Sequence, residues 1–174
     1  MDLQAQLAAW MQGEVVVLGI GNPLRGDDAA GSMVASRIKA LPSVSAIDAQ
    51  DVPENYVAAV VNRQPDTIVL IDSVDFDSTP GSVALLSRDQ LAGYCPSTHR
   101  VPVSLLMSVF EHETHARVLL IGIQPAHTRF LEPMSEAAET SATQIAGALN
   151  RALAGRRLPA DRVAADSLKG EMSA

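Results

Sequence analysis

Aromatic residues are scarce in this chain. Trp10, Tyr56, Tyr94, Phe76, Phe110 and Phe130 are the whole set in 174 residues, so a core must be assembled from Val, Leu, Ile and Ala. Single-stranded nucleic acid needs stacked rings, and that class of function is excluded. Cysteine is scarcer still. Cys95 alone permits no intrachain disulfide and no all-cysteine metal site, and it suits a reducing, cytoplasmic setting. Basic side chains are outnumbered, 13 against 20 acidic ones, for a formal charge of −7. Such a surface repels phosphate backbones and anionic lipid heads, so neither nucleic acid nor membrane is an expected partner. No apolar run reaches the ~18 residues of a membrane span. The N-terminal Met1-Asp2-Leu3-Gln4 also lacks the basic region of a signal peptide.

What remains is a globular composition, 47% hydrophobic and 19% charged, of a length that fits one domain. Leu3, Leu7, Trp10 and Met11 recur at helical spacing and predict an additional N-terminal helix within residues 1–12. Short, continuous, β-branched apolar runs at 14–20, 44–49, 67–72 and 117–123 read as parallel strands covered on both faces. A less hydrophobic run at 81–86 reads as an edge strand. Between them, helical stripes are expected over 29–41 (stopped by Pro42), from Pro53 onward, over 101–111 and over 135–154 with Ser135 as its cap. The alternation predicts an α/β fold with a mostly parallel sheet between helix layers, one domain over residues 1–154 and a loose tail over 155–174.

In open sheets of this kind ligands sit outside the carboxyl ends of the strands. The segments expected there are rich in carboxylates: Asp27 and Asp28 after the first strand, Asp48 and Asp51 after the second, Asp72, Asp75 and Asp77 after the third. Ser97-Thr98-His99 adds an imidazole ahead of the next helix. The first loop fails as a phosphate cradle. Gly19-x-Gly21 lacks the third glycine of a dinucleotide fingerprint, because position 24 is Leu. Gly21 and Gly26 have P-loop spacing, but Asp27-Asp28 stand where Lys and Ser or Thr would be. Two carboxylates at a positive helix end repel phosphate and attract a cation. Each residue also has a plainer reading: Asp27 or Asp28 as a helix cap, Asp72 as a turn cap, His99 as a structural histidine. Together they make a divalent-metal site, and carboxylate with imidazole suits zinc, nickel, iron or manganese alike. His112-Glu113-Thr114-His115 is one residue short of H-E-x-x-H and reads as a solvated turn. Cys95 and His99 lack an orienting partner for a thiol nucleophile.

The string Val16-Val-Leu-Gly-Ile-Gly-Asn-Pro-Leu-Arg-Gly-Asp-Asp28 resembles the opening motif of the [NiFe]-hydrogenase maturation endopeptidases. Val52-Pro-Glu-Asn55, Leu70-Ile-Asp72, Ser97-Thr-His99 and Gly122-Ile-Gln-Pro125 continue the likeness in order, over about residues 14–154, nearest the formate-hydrogenlyase-type subgroup. The resemblance implies a three-layer α/β/α sandwich around a five-stranded twisted sheet, of phosphorylase/hydrolase-like type, monomeric and cytoplasmic. It implies metal positions at Asp28, Asp72 and His99, with Asp48 as a further acidic position of the site. The implied partner is the hydrogenase large-subunit precursor. Its nickel, carried by the substrate, would be used for recognition before a C-terminal extension is removed. One departure stands out: Asp48-Ala49-Gln50-Asp51 replaces an Asp-Gly-Gly type of loop, and Ala and Gln tolerate positive φ poorly. In the absence of a Ser–His–Asp order the attacking species is expected to be water, with Asp27 or Asp48 as base. The rival readings are a non-cleaving, metal-dependent binding module for the nickel-bearing subunit and a nucleotide-binding α/β protein.

Overall fold

A computed structural model describes residues 2–93 and 101–156. In chain order it contains α1 (Leu3–Trp10), β1 (Val15–Ile20), a 3-10 turn (Gly26–Ala29) running into α2 (Ala30–Ser36), and β2 (Val44–Gln50). A second 3-10 turn (Pro53–Tyr56) opens α3 (Val57–Val61), followed by β3 (Thr67–Ser73), β4 (Val83–Leu86) and a third 3-10 turn (Arg88–Gly93). The chain closes with α4 (Val103–Thr114), β5 (Arg117–Ile123) and α5 (Glu136–Ala154). The five strands form one sheet in the order β2-β1-β3-β5-β4. Every pairing is parallel except β4 with β5, which places the antiparallel strand at an edge as expected.

Alternation along each strand builds two cores on opposite faces. Val15, Val17, Val69, Ile71, Leu119 and Ile121 pack beneath α1, α2 and α5. Val16, Leu18, Ile68, Leu70 and Leu120 pack beneath α3 and α4, against Val60, Leu106, Met107 and Phe110. Each such aliphatic side chain contributes roughly 1.5–3 kcal/mol on burial, and this explains why the central strands carry no polar face. The observed arrangement is the expected three-layer α/β/α sandwich. Ser135 caps α5 by accepting from Ala138 N, with Glu136 and Glu139 in the first turn and Arg151 in the last, in the sense the helix dipole favours.

Three boundaries differ from the sequence reading. The helix expected to continue to Leu41 ends at Ser36, because Asn150 of α5 captures the next turn: its Nδ2 donates to Arg37 O at 2.9 Å and its Oδ1 accepts from Lys39 N at 2.8 Å. The His112–His115 segment is not a turn. Its first three residues complete α4, and His115, at φ 57°, stops the helix. Residues 155 and 156 do not begin a loose tail, since Arg156 donates from Nη1 to Gly13 O and from Nη2 to Ser43 O. The remainder of that expected tail, 157–174, lies outside the described residues.

Candidate active site at the carboxyl edge of the sheet

The connections out of β1 and β3 leave in opposite directions. The chain goes from β1 to β2 on one side, then crosses back over β1 to β3 on the other. Adjacent strands with divergent connections open a crevice at their carboxyl ends, the switch point where such folds bind ligands. Asp28 follows β1 there, and Asp72 is the penultimate residue of β3. Both are nearly buried, 8% and 6% exposed. Their environment is therefore costly for a charge unless it is compensated.

The β1 loop is shaped by close backbone approach. A Cβ on Gly21 would collide with the carbonyl oxygen of Asp28, and one on Gly31 would collide with the carbonyls of Ile20 and Ile71. The second glycine thus lets α2 sit directly on β1 and β3. Gly19 and Gly21 serve packing and turn geometry, which is the reason for a partial nucleotide fingerprint in a loop with no phosphate-binding Lys. Asn22 organises the turn, its N donating to Asp28 Oδ2 at 3.0 Å and its Nδ2 to Asp51 Oδ2 at 2.9 Å, while Oδ1 accepts from Leu24 N.

The two adjacent carboxylates have opposite assignments. Neither caps the helix that follows. Asp27 is fully buried and accepts from Ala126 N and Ser135 N, both at 2.6 Å, from Ser135 Oγ at 2.9 Å and from His127 N at 3.4 Å. Burial alone would raise its pKa, but the bonds from Ser135, Ala126 and His127 outweigh that and hold it below the ordinary carboxylate range. It staples the β1 loop to the segment after β5 and to the start of α5. Both of its oxygens are thus engaged by donors within the fold. Asp28 instead faces the Asn22 turn.

Asp72 shares its face with Ile68 and Leu70, the α3/α4 side of the sheet, and one oxygen accepts from Ser73 N at 2.8 Å. Asp48 lies within β2, not after it, opposite Gly19, exposed and accepting from Gln50 N. Past it the β1–β2 register slips, and Gln50 takes φ 51° while its carbonyl accepts from Gly21 N. The positive φ that this loop requires is therefore carried by Gln. His99 and Cys95 lie outside the described residues. Among the described residues, no group of three His, Cys, Asp or Glu is placed to hold a metal ion. His112 and His115 are exposed at the end of α4, with His112 Nδ1 at 3.1 Å from Glu113, solvated as expected.

Gln124 entered the sequence reading only within the Gly122–Pro125 string, with no role assigned. It is buried at the end of β5, accepts from Phe76 N and Ser78 N, and donates to Asp75 Oδ1 at 3.0 Å. It thereby sets the path of the chain leaving Asp72. Its signal was the same as that of Asp72, a polar residue closing an apolar strand. The grooves of about 360 and 390 Å³ elsewhere on the surface, one against Trp10 and Arg117 and one against Gly81 and Glu136, contain neither Asp28 nor Asp72.

The profile of the family described as hydrogenase maturation protease (HycI) matches residues 31–153. The chain is 30% identical over 124 residues to the hydrogenase 3 maturation protease of Escherichia coli K12, covering 70% of this chain and 79% of that protein. It is 28% identical over 146 residues to a putative hydrogenase maturation protease of Methanocaldococcus jannaschii, covering 78% and 86%. Its fold superposes on the crystal structure of the [NiFe] hydrogenase maturation protease HycI from Thermococcus kodakarensis with a TM-score of 0.80 and 30% identity, over 86% of this chain and 99% of that one.

Proposed function

The chain belongs to the hydrogenase maturation protease family, and on that premise we propose that it is an endopeptidase that removes the C-terminal extension of a [NiFe]-hydrogenase large-subunit precursor once nickel is in place. The observation that carries the reading is the pair Asp28 and Asp72, two nearly buried carboxylates at the carboxyl ends of adjacent parallel strands, at the switch point of the sheet. Each has an oxygen fixed by a backbone N–H, from Asn22 and from Ser73, as metal-binding carboxylates require. With His99, contributed by the sequence motif alone, they form an oxygen and nitrogen donor set suited to the substrate's nickel. When bound, that ion would add positive charge able to polarise the scissile carbonyl.

Asp28, Asp72 and His99 thus act as readers of the assembled centre and position the precursor's C-terminal segment at the edge of the sheet. A water oxygen attacks the scissile carbonyl carbon, the C–N bond breaks, and the released amine takes a proton. Of the two carboxylates considered as base, Asp27 is occupied by four donors, so the role falls to exposed Asp48. The chain works as a cytoplasmic monomer. Among the described residues, no helix is long and apolar enough to cross a membrane.

Incubation with nickel-loaded and nickel-free precursor, followed by intact-mass measurement, tests the reading. Cleavage of the loaded form alone is expected, with a loss of about 100-fold or more in Asp28→Ala, Asp72→Ala and His99→Ala. Equal cleavage of both forms would sink the nickel dependence. Stable binding with no mass change would make the chain a binding module instead.

A further inference from the structure

Turns that need a positive φ usually place Gly, Asn or Asp there, because those residues adopt it at least cost. The turn 129–132, between β5 and α5, has Phe130 and Leu131 as its central residues. Leu131 has φ 61°, and Glu132 N returns to Arg129 O. Phe130 is 59% exposed and Leu131 71%. Leu131 N donates to Leu24 O at 2.7 Å, and Leu24 is itself 52% exposed. Three large apolar residues therefore stand exposed on two loops joined by a backbone hydrogen bond, one of them on a strained backbone. They are supplied by two loops far apart in sequence.

The two loops are locked to each other. Gly26 N donates to Glu132 O and Asp27 N to His127 O, and the buried Asp27 carboxylate gathers Ala126, His127 and Ser135 behind them. A solvent-facing hydrophobic pad on so rigid a base keeps its shape before any partner arrives, which limits the ordering cost of binding. The pad also shares its loop with Asp28, four residues after Leu24. From this juxtaposition we propose that Leu24, Phe130 and Leu131 form a docking pad for the folded body of the large-subunit precursor, holding it beside the edge where its C-terminal segment is read. The proposal rests on the maturation-protease reading above.

The size of the pad favours this occupant over a second copy of the chain. Three half-exposed side chains of this kind offer on the order of 300 Å², against the ~800 Å² per partner of a stable interface. That is too little for a dimer. It is a useful supplement for a substrate already engaged along the adjoining edge. The formal charge of −7 opposes insertion of the same turn into an anionic membrane.

The test uses the full chain and the double variant Phe130→Ser/Leu131→Asn, in which Asn supports the left-handed turn. Steady-state processing of nickel-loaded precursor is measured for both proteins. We expect KM to rise about tenfold with kcat within twofold, since the pad binds ground state and transition state alike. An unchanged KM overturns the pad and leaves the protease reading standing. A fall in kcat alone overturns it too, by showing that the turn shapes the site. Sedimentation showing that the wild type dimerises and the variant does not, or anionic vesicles retaining only the wild type, would assign the pad to those partners and overturn the proposal. If the wild type fails to process any precursor, the protease reading has failed on its own account. Calorimetric titration of precursor into each protein then decides the pad: weakened binding in the variant upholds it, and equal binding overturns it.

Discussion

Gln50 holds φ 51° beside the bulge that closes the β1–β2 pairing. A side chain in that region costs about 1 kcal/mol, because Cβ approaches the following carbonyl. The side chain is exposed and its backbone carbonyl accepts from Gly21 N, so the loop needs the conformation and not the amide. Gln50→Gly should therefore raise stability by about 0.5–1 kcal/mol, or about 1–4 °C in Tm by differential scanning calorimetry. Gln50→Val should lower it, and a fall for both variants would refute the strain argument. A second contrast separates the neighbouring aspartates. Asp27→Asn places an amide against donors that need an acceptor, at a cost of about 2–4 kcal/mol in denaturant unfolding. Asp28→Asn keeps an oxygen for Asn22 N, so it should unfold within about 1 kcal/mol of wild type while processing is lost. If both aspartates proved equally costly to fold stability, the division of labour between them would be wrong.

The elements differ in how far they can be read from sequence, and the reasons are physical. β1 and the middles of β3 and β5 are apolar because helices cover both faces, and local pattern is then sufficient. The end of α2 is set by Asn150, 113 residues away from the Arg37 carbonyl that it holds, and no local pattern reports that. Asp28 and Asp72 were legible as strand-end carboxylates, whereas Asp48 proved to lie within β2. Adjacent Asp27 and Asp28 were not separable, because the choice depends on where α5 begins. The glycines were legible as a turn but not as a packing device. Gly31 lets α2 lie against the carbonyls of Ile20 and Ile71, and this close approach holds the Asp28 turn over the crevice. Gly31→Ala should cost about 3 kcal/mol in guanidinium unfolding, since two backbone oxygens cannot rotate away as side chains do. A cost below about 0.5 kcal/mol would mean that the helix can slide outward freely.

At the scale of the molecule, α1 decides whether one face of the sheet is a closed layer. It lies before the 31–153 profile match, which invites reading it as an attachment. Its side chains argue otherwise. Leu7 is fully buried and Met11 nearly so, in the cluster that holds Val15, Leu119, Ile145, Leu149 and Leu153. Arg117 donates to Trp10 O at 2.9 Å and lies 4.8 Å from the centre of its ring. Arg151 of α5 donates to Gln4, and Gln12 exchanges two hydrogen bonds with Thr67 at the start of β3. These contacts tie α1 to α5, β3 and β5 at once, so its loosening is coupled to the global transition. Leu7→Ala removes a core side chain without changing any backbone bond. It should cost about 3 kcal/mol, a drop of roughly 6–12 °C in Tm, in a single cooperative transition. Processing measured well below that Tm should stay within about twofold of wild type, because Leu7 packs on the α1, α2 and α5 face of the sheet while Asp72 shares the opposite face with Ile68 and Leu70. A shift under about 1 °C, or a separate low-temperature transition for the N-terminal helix, would show that α1 folds as an independent appendage and that the sheet is closed without it.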